Sequence, residues 1–344
     1  PACRILLAQK AFSMYSVYPI MREYLAGSTA SGLYEARLGH EHFGGETHVF
    51  SPAYREEEFE QILQFADHLV FNSPAQLRRY ALRAKAAGKS VGLRINPEHS
   101  TQEGHAIYDP CAPGSRLGTT LSNFDESLLP LLDGLHFHTL CEQNSDDREA
   151  TAKAFEERFG KYLHQLHWLN FGGGHHITRP DYDIPRLISV IEHFRDRYDV
   201  QIYLEPGEAT VYHAGFLVSS VLETMHNGME IAILDTSAAC HMPDVLEMPY
   251  RPPLRSSGMP EEKKYTYRLS SYTCLAGDII GDYSFDEEKK VDDRLYFEDM
   301  AIYSMVKNNT FNGIPLPDIA VMDESGECKV IRSFSYEDFK GRLS

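Results

Sequence analysis

Short apolar runs alternate with amphipathic segments over the first 205 residues. Eight such runs occur, and each has the length and composition of a buried strand. They are Ile5–Gln9, Ser28–Ser31, Thr47–Phe50, Leu69–Asn72, Val91–Asn96, Leu135–His138, Trp168–Phe171 and Gln201–Glu205. Because helical patterns lie between most of them, the chain is predicted to form a (β/α)8 TIM barrel of the α/β class, with a doubly wound open sheet as the alternative.

Helix signals between the runs support this organisation. Two sets of apolar residues at helical spacing predict helices. They are Val17, Ile20, Met21, Tyr24 and Leu25, and then Phe59, Ile62, Leu63 and Ala66. Ser73 and Pro74 predict the start of a third helix, which Gly88 ends. No Gly-x-Gly-x-x-Gly motif follows the first run, and this favours the barrel over a dinucleotide-binding sheet.

The pattern changes after Glu205-Pro206-Gly207. Strand-like runs then follow with few helices between them: Val211–Leu222, Met229–Leu234, Tyr265–Tyr272, Ile319–Met322 and Lys329–Phe334. Asp323–Gly326 predicts a hairpin turn between the last two runs, and the polar stretch Arg251–Lys264 predicts a loop. We therefore predict a barrel domain over residues 1–210 and a mostly β domain over residues 211–344 that completes the active site.

Composition and charge narrow the classes of function. The chain of 344 residues has 42% hydrophobic and 24% charged residues, which is typical of a globular protein. Its net charge of −17 argues against nucleic acid as a partner and mildly favours cationic small molecules, although it also serves solubility alone. No apolar run is long enough to span a membrane, and the six cysteines form no CxxC pair, so we expect a cytoplasmic protein, with targeting left open because the chain starts at Pro1.

Reactive or glycine residues stand where several runs end, and in a barrel the C-terminal strand ends carry the catalytic groups. Lys10 closes the first run, either as a lysine that extends to the rim or as one that forms an imine with a carbonyl. Gly172, Gly173 and Gly174 follow the seventh run, where barrels often bind phosphate, although a flexible turn has the same pattern.

Two histidines and a glutamate offer further candidate chemistry. His136 and His138 alternate in the sixth run and are expected on one face of the strand. The pair fits an HxH metal site of a barrel hydrolase, His138 alone fits an imidazole stacked on a cofactor ring, and each histidine also fits an ordinary core or surface residue. No third ligand stands at an evident spacing, and we assign no metal. Glu205 closes the eighth run, where a carboxylate can keep a pyridinium protonated or form a structural ion pair.

Together these residues resemble the fold-type III pyridoxal-phosphate (PLP) decarboxylases, the family of ornithine and diaminopimelate decarboxylases, whose barrel is shared with alanine racemase. The resemblance covers nearly the whole chain and rests on ordered segments. They are Leu7-Ala8-Gln9-Lys10, Ala30-Ser31 with Glu35, Leu93-Arg94-Ile95-Asn96, Ser115-Arg116-Leu117-Gly118, Phe137-His138, Gly172–Gly174, Glu205-Pro206-Gly207, Thr273-Cys274, and Tyr303 with Phe311-Asn312-Gly313.

The resemblance implies PLP as the cofactor and gives each residue a role. Lys10 is similar to the lysine that binds PLP covalently, His138 to the histidine that stacks on its ring, and Glu205 to the glutamate at its pyridine nitrogen. Cys274 or Lys10 returns a proton to the substrate Cα. The implied cofactor-binding residues are Lys10, Arg94, His138, Gly172, Gly173, Gly174, Glu205 and Tyr303, the last on a helix beside the phosphate.

Departures from the family pattern are similar to its carboxynorspermidine/carboxyspermidine decarboxylase branch. Glu208 stands where the family usually has arginine, and Cys274 is followed by Leu275-Ala276-Gly277-Asp278. Leu140-Cys141-Glu142 and Asp235-Thr236-Ser237 are similar to that branch as well. The resemblance implies decarboxylation of carboxynorspermidine or carboxyspermidine to norspermidine or spermidine, in polyamine biosynthesis.

The same resemblance implies a homodimer with shared active sites, in which Cys274 and Asp278 reach across to the partner. Acidic side chains are expected to pair with the cationic amines of the substrate. The candidate substrate-binding residues are Glu142, Glu208, Asp278 and His241. Family members carry a segment before the lysine strand, whereas this chain begins nine residues before Lys10, so the sequence leaves open whether its N-terminus is complete.

Several alternatives remain at the level of sequence. Within the family they are decarboxylases of ornithine, lysine or diaminopimelate, an alanine racemase, and a regulator that has lost catalysis. From a different class, a metal-dependent barrel hydrolase would use His136 and His138. Intact Lys10, His138, Glu205 and Cys274 favour an active enzyme, and the β-rich second domain favours a decarboxylase over a racemase.

Overall fold

The structure, a computed structural model, describes residues 3–102 and 106–344. The chain divides into two compact units, of which the first ends at Thr210 and the second begins at Val211. In the two described ranges, no helix combines the length and the apolar character that crossing a bilayer requires.

Eight parallel strands in the described part of the first unit form its barrel. They are β1 (Arg4–Ala8), β2 (Gly27–Ala30), β3 (Glu46–Phe50), β4 (His68–Phe71), β5 (Ser90–Arg94), β6 (Gly134–His136), β7 (Trp168–Asn170) and β8 (Gln201–Leu204). Strand β8 returns to pair with β1, where Arg4 lies opposite Tyr203. This pairing closes the barrel. The predicted (β/α)8 barrel is therefore confirmed, and the open sheet is excluded.

Six α-helices occur in the described residues of the same unit: α1 (Tyr18–Met21), α2 (Leu33–Leu38), α3 (Glu56–Phe65), α4 (Pro74–Ala86), α5 (Ser145–Leu163) and α6 (Ile184–Tyr198). The predicted ends of α4 are confirmed. The side chain of Ser73 accepts a hydrogen bond from the Gln76 N–H, Pro74 is the first helical residue, and Gly88 follows the helix at φ +72°.

The first predicted helix is wrong in its extent. Helix α1 is a single turn, and Ile20 and Tyr24 are 62% and 80% exposed. Their helical spacing therefore does not mark a buried face. The second prediction is confirmed, since Phe59 and Ile62 of α3 are buried.

The core of the first unit has two layers. Apolar residues of the strands and of their ends pack against the helices. Phe137, directly after β6, stacks on Phe155 of α5 with the ring centres 4.6 Å apart. A smaller cluster of Leu6, Val70, Trp168 and Tyr203 belongs to the strands themselves. The barrel is thus filled with side chains, so a ligand is expected at a mouth rather than along its axis.

The predicted barrel strands that lead to candidate residues end one or two residues earlier in the structure than the sequence pattern indicates. Lys10 lies in the turn after β1, and Glu205 directly follows β8. Strand β6 ends at His136, so the prediction that His136 and His138 alternate within one strand is wrong. These residues lie at or beyond the C-terminal strand ends, which we call the barrel mouth.

The second unit is built on a five-stranded sheet with the order β12-β11-β10-β9-β13. Its strands are β9 (Phe216–His226), β10 (Glu230–Leu234), β11 (Tyr265–Ser271), β12 (Ile279–Phe285) and β13 (Arg294–Glu298). Strands β10 and β11 are parallel, and the other neighbours are antiparallel. The sequence patterns did not predict β12 or β13, and they started β9 five residues too early.

A hairpin and three short helices complete the second unit. Strands β14 (Ile319–Met322) and β15 (Cys328–Arg332) pair antiparallel, with Gly326 at φ +85° in the turn, which confirms the predicted hairpin. The helices are α7 (Ala238–His241), α8 (Asp244–Glu247) and α9 (Tyr336–Lys340). This unit is mostly β, so the predicted fold class is confirmed as a whole.

Candidate active site

Lys10 presents its amine at the barrel mouth. Its side chain is exposed, but the surrounding walls reduce its hydration. This desolvation, together with the positive charge of Arg94, lowers the pKa of the amine, while the carboxylates of Glu205 and Glu35 oppose the shift. A lowered pKa increases the neutral fraction of the amine, which is the nucleophilic form.

Buried hydrogen bonds hold the turn that carries Lys10. Gln9 is fully buried, and its Nε2 donates to the Glu35 carbonyl at 2.8 Å. The Tyr18 hydroxyl donates to Gln9 Oε1 at 3.1 Å. The N–H of Ser31 donates to the Glu35 carboxylate at 2.6 Å, which fixes that side chain as well. Lys10 therefore leaves the barrel from a defined backbone position.

His138 is oriented by the loop that follows β7. The Gly173 N–H donates to Nδ1 of His138 at 3.1 Å, so this nitrogen acts as an acceptor. Burial, followed by the charges of Lys10 and Arg94, lowers the pKa of His138 well below its usual range. The imidazole is therefore neutral near pH 7, and its plane is fixed by a backbone donor.

Gly172–Gly174, which we call the glycine loop, leave no room for side chains. A Cβ at Gly174 would lie 1.8 Å from the Leu140 carbonyl oxygen, and one at Gly173 would lie 2.3 Å from the backbone carbonyl oxygen of Glu205. Gly172 and Gly174 also have positive φ, +66° and +79°. The Gly172 N–H is bound to Asn170 and the Gly173 N–H to His138, whereas the Gly174 N–H has no acceptor among the described residues and is available to an anion.

Both carboxylate oxygens of Glu205 have partners. Nε2 of His136 lies 3.2 Å from Oε2, and Nδ2 of Asn170 donates to Oε1 at 2.7 Å. Burial alone raises the pKa of Glu205, but the attraction to His136 and these hydrogen bonds outweigh it and lower the pKa to about 2. The group is thus a buried anion at neutral pH. Asn170 also accepts from the Gly172 N–H at 2.8 Å, which links Glu205 to the glycine loop.

Arg94 ends β5 beside the same residues. Its guanidinium lies 4.6 Å from the centre of the Phe50 ring, and Nη2 donates to the His138 carbonyl at 3.3 Å. Burial lowers the pKa of Arg94 to about 10, so the side chain remains charged at neutral pH. It therefore adds positive charge to a site that already contains Lys10.

A histidine–carboxylate pair lies next to the glycine loop. Nε2 of His176 is 3.1 Å from the carboxylate of Glu208, the residue that follows Glu205-Pro206-Gly207. Burial lowers the pKa of His176, but the hydrogen bond and charge of Glu208, followed by the charge of Glu142, reverse this effect and raise it. Glu142 is exposed. The predicted substrate-binding residues Glu142 and Glu208 thus share one neighbour.

The structure gives no support to the HxH metal hydrolase. Within the described ranges, the only three residues whose ligand atoms lie within 4.8 Å of one another are Glu46, His48 and His68. They stand at the start of β3 and β4, away from the mouth, and Glu46 is paired with Arg4. His136 instead contacts Glu205.

In the second unit, Asp278 anchors the segment that carries Cys274. Its carboxylate accepts hydrogen bonds at 2.6 Å from the hydroxyls of Ser237, Ser271 and Thr273. Cys274 is exposed, and its N–H donates to Oδ1 of Asn312 at 2.8 Å. The substrate-binding role of Asp278 stays a prediction, and these contacts favour a structural role.

His241 and Tyr303 also belong to the second unit. Nε2 of His241 lies 3.1 Å from the Pro315 carbonyl, and Nδ1 lies 2.9 Å from the Thr236 hydroxyl, so both ring nitrogens are engaged. Its substrate-binding role stays a prediction. Tyr303 lies in a bend at φ +46°, and the expected helix is wrong. The neighbouring Phe311–Gly313 forms only a short 3-10 helix.

The first unit thus brings together most of the predicted cofactor residues, namely Lys10, Arg94, His138, Gly172, Gly173, Gly174 and Glu205. Sequence reasoning missed Gln9, Asn170 and Arg148. Asn170 has a usable signal, since it is the last polar residue before the glycine loop. Arg148 has none except its helical phase with Phe155 and Phe159 on α5.

Comparison with known proteins decides the family. A family profile described as "Pyridoxal-dependent decarboxylase, C-terminal sheet domain" matches residues 14–301. The chain belongs to this decarboxylase family. The predicted family resemblance and the predicted class of enzyme are therefore confirmed.

Similar proteins match nearly the whole length of this decarboxylase. It is 43% identical to carboxynorspermidine/carboxyspermidine decarboxylase of Campylobacter jejuni, over 98% of this chain and 91% of that protein. It is also 43% identical to carboxyaminopropylagmatine decarboxylase of Synechocystis, over 98% of this chain and 88% of that protein. The crystal structure of Campylobacter jejuni carboxynorspermidine decarboxylase complexed with norspermidine superposes with a TM-score of 0.92, at 42% identity and over 99% and 92% of the two chains.

Proposed function

We propose that this decarboxylase uses PLP to convert carboxynorspermidine or carboxyspermidine to norspermidine or spermidine, in polyamine biosynthesis. The observation that carries the proposal is the convergence of Lys10, His138 and the glycine loop at one barrel mouth. The full-length relative of Campylobacter jejuni is named for both substrates.

The residues of the mouth fit PLP. The glycine loop offers the N–H of Gly174 for a phosphate, and a Cβ at any of its three positions would clash. Lys10 offers an accessible amine for the aldehyde, and the neutral ring of His138 can stack on a pyridine ring. When bound, PLP supplies an electron sink for the carbanion left at Cα after loss of CO2.

The surrounding side chains then have distinct tasks. Glu205, which remains ionised, would accept a hydrogen bond from a protonated ring nitrogen and hold that proton in place. Neutral His138 adds no positive charge beside this proton. Lys10, once released from the cofactor, can return a proton to Cα. Cys274, which is exposed, is the alternative donor, and the family resemblance implies that it would come from the partner subunit of a homodimer.

The cationic tail of the substrate would be recognised by carboxylates. Glu142 and Glu208 supply negative charge on the first unit, and both raise the pKa of His176. A second candidate substrate is carboxyaminopropylagmatine, because the relative of Synechocystis named for it is equally identical to this chain. We further propose a cytoplasmic enzyme, since its six cysteines are free thiols.

A substrate panel tests the activity. The holoenzyme is incubated with carboxynorspermidine, carboxyspermidine and carboxyaminopropylagmatine, and with ornithine, lysine and diaminopimelate, and release of CO2 is measured. We expect kcat/KM for one of the first two to exceed the values for the last three at least 100-fold. A preference for carboxyaminopropylagmatine would support the second candidate, and a preference for ornithine would contradict both.

Covalent labelling tests the cofactor lysine. Borohydride reduction of the holoenzyme should fix a pyridoxyl group on Lys10, and peptide mass spectrometry locates it. Lys10→Ala should bind no label, whereas the matched variant Lys89→Arg, which lies away from the mouth, should bind as much as the wild type. A label on any other lysine would contradict the assignment.

A further inference from the structure

Arg148 lies behind the glycine loop and is fully buried. It belongs to α5, on the face that also buries Ala152 and Phe155. Its guanidinium lies 5.5 Å and 5.7 Å from the ring centres of Phe137 and Phe171. Nη2 donates to the Gly173 carbonyl at 3.1 Å. A charged side chain thus touches the back of the loop to which we assign the phosphate.

The charge of Arg148 is poorly compensated by its surroundings. Burial lowers the pKa to about 10, so the group is a cation at neutral pH. No carboxylate of the described residues pairs with it, and its Nε and Nη1 have no partner there. Both ring nitrogens of His175 and the hydroxyl of Tyr182 also have no hydrogen-bond partner among the described residues. Burying an unpaired charge is strongly unfavourable, so an anion close to the loop would stabilise this arrangement.

One peptide group connects Arg148 to the concave side of the loop. The carbonyl of Gly173 accepts from Arg148, and the N–H of the same planar trans peptide belongs to Gly174 and points the opposite way. Among the described residues this N–H has no acceptor. A hydrogen bond to the carbonyl polarises the peptide and makes its N–H a stronger donor.

The segment that follows β8 provides no cation that could stabilise an anion at the glycine loop. Position 208 is a glutamate, and its charge is opposed by His176 at 3.1 Å. An anion bound by the glycine loop would therefore be stabilised by the positive charge of Arg148, which acts through the peptide group that Arg148 contacts.

We propose that Arg148 is a positioning residue for the cofactor phosphate, which it holds through the Gly173–Gly174 peptide. The inference rests on the proposed use of PLP. It predicts a specific dependence, because Arg148 should stabilise the phosphate group and not the pyridine ring.

Binding of two ligands to the apoenzyme tests this dependence. Dissociation constants are measured for PLP and for pyridoxal, which lacks the phosphate. For Arg148→Met we expect PLP to bind about 10-fold more weakly and pyridoxal to change less than twofold. Arg148→Lys retains the charge and should recover most of the preference. The matched control is Arg158→Met on the same helix, where Arg158 pairs with Glu98 at the surface, and it should bind both ligands normally.

Unfolding of the apoenzyme separates positioning from a structural role. Because methionine removes a buried unpaired charge, we expect Arg148→Met to be as stable in urea as the wild type, or more stable, and to be stabilised less by PLP. Equal weakening of PLP and pyridoxal, or an unchanged preference for PLP, would overturn the inference. If Arg148→Met fails to fold, Arg148→Lys decides. A folded Arg148→Lys whose preference for PLP over pyridoxal is partly reduced would support the inference, and an unchanged preference would leave Arg148 a structural role only. Failure of the wild type to bind PLP would overturn the proposed function itself.

Discussion

The carboxylate of Glu205 and the imidazole of His136 are joined by a hydrogen bond of 3.2 Å. Asn170 holds the other carboxylate oxygen at 2.7 Å, so the side chain cannot rotate without losing a partner. The pKa of Glu205 is lowered to about 2 although the group is buried. A fixed, ionised carboxylate is what a protonated pyridine nitrogen requires as its partner.

Glu205→Gln should therefore impair catalysis more than binding. The amide removes the negative charge but preserves the shape of the side chain, so we expect kcat to fall roughly 100-fold, equivalent to about 3 kcal/mol for a lost charge-assisted hydrogen bond. Steady-state kinetics measures this, and KM should change little. The control Glu156→Gln removes a carboxylate that contacts His193 and Tyr198 on the outer helices. A raised KM with normal kcat would instead assign Glu205 to the substrate.

The barrel and its mouth could be predicted because local patterns determine them. A strand buried on both faces is a continuous apolar run, and its end is visible where Lys10 or Glu205 interrupts the run. Glycines are similarly visible, since close backbone approach excludes every other residue at Gly174. These signals need no knowledge of the tertiary structure.

Other features depend on contacts that the sequence does not display. Arg148 stands in a charged stretch with Asp146 and Asp147, and only the packing of α5 buries it. Strand β13 has just two buried apolar positions, Leu295 and Phe297, which is too short a pattern to detect. The role of Asp278 likewise depends on hydroxyl groups that lie up to 41 residues away along the chain.

Gly174→Ala should disrupt the glycine loop. Its Cβ would lie 1.8 Å from the Leu140 oxygen, and alanine at φ +79° adds about 1–2 kcal/mol of backbone strain. We expect the free energy of unfolding to fall by about 3 kcal/mol or more, together with a weaker affinity for PLP. Urea denaturation and cofactor titration measure the two effects.

The matched variant for that prediction is Gly88→Ala. Gly88 has a similar φ of +72°, but no atom lies within 4 Å of the added Cβ. It should therefore show only the cost of the backbone conformation, about 1–2 kcal/mol, with normal affinity for PLP. If both variants lost the same stability, the steric explanation for the glycine loop would be wrong.

Asp278→Asn should destabilise the second unit. One carboxylate oxygen accepts from three hydroxyls and the other from the Ala239 N–H at 3.2 Å, whereas asparagine replaces one of these two acceptors with a donor. We expect a loss of about 2–3 kcal/mol in urea denaturation. Asp282→Asn on β12, which breaks the half-buried surface pair with Arg268, should cost less, about 1 kcal/mol. A stable Asp278→Asn enzyme with a raised KM would restore the substrate-binding role.

The pair of His176 and Glu208 should make stability depend on pH. Glu208 raises the pKa of His176 in the folded protein, whereas the unfolded chain has the ordinary value near 6.5. Between these two pKa values the folded state binds more protons than the unfolded state. The contribution of the pair to the free energy of unfolding is therefore complete below pH 6.5 and disappears as the pH rises through the folded pKa. We expect the wild type to exceed His176→Gln in unfolding free energy by about 1 kcal/mol at pH 6 and by less at pH 9. Glu208→Gln should remove the same dependence, and a difference between wild type and His176→Gln that stays constant with pH would contradict the ion pair.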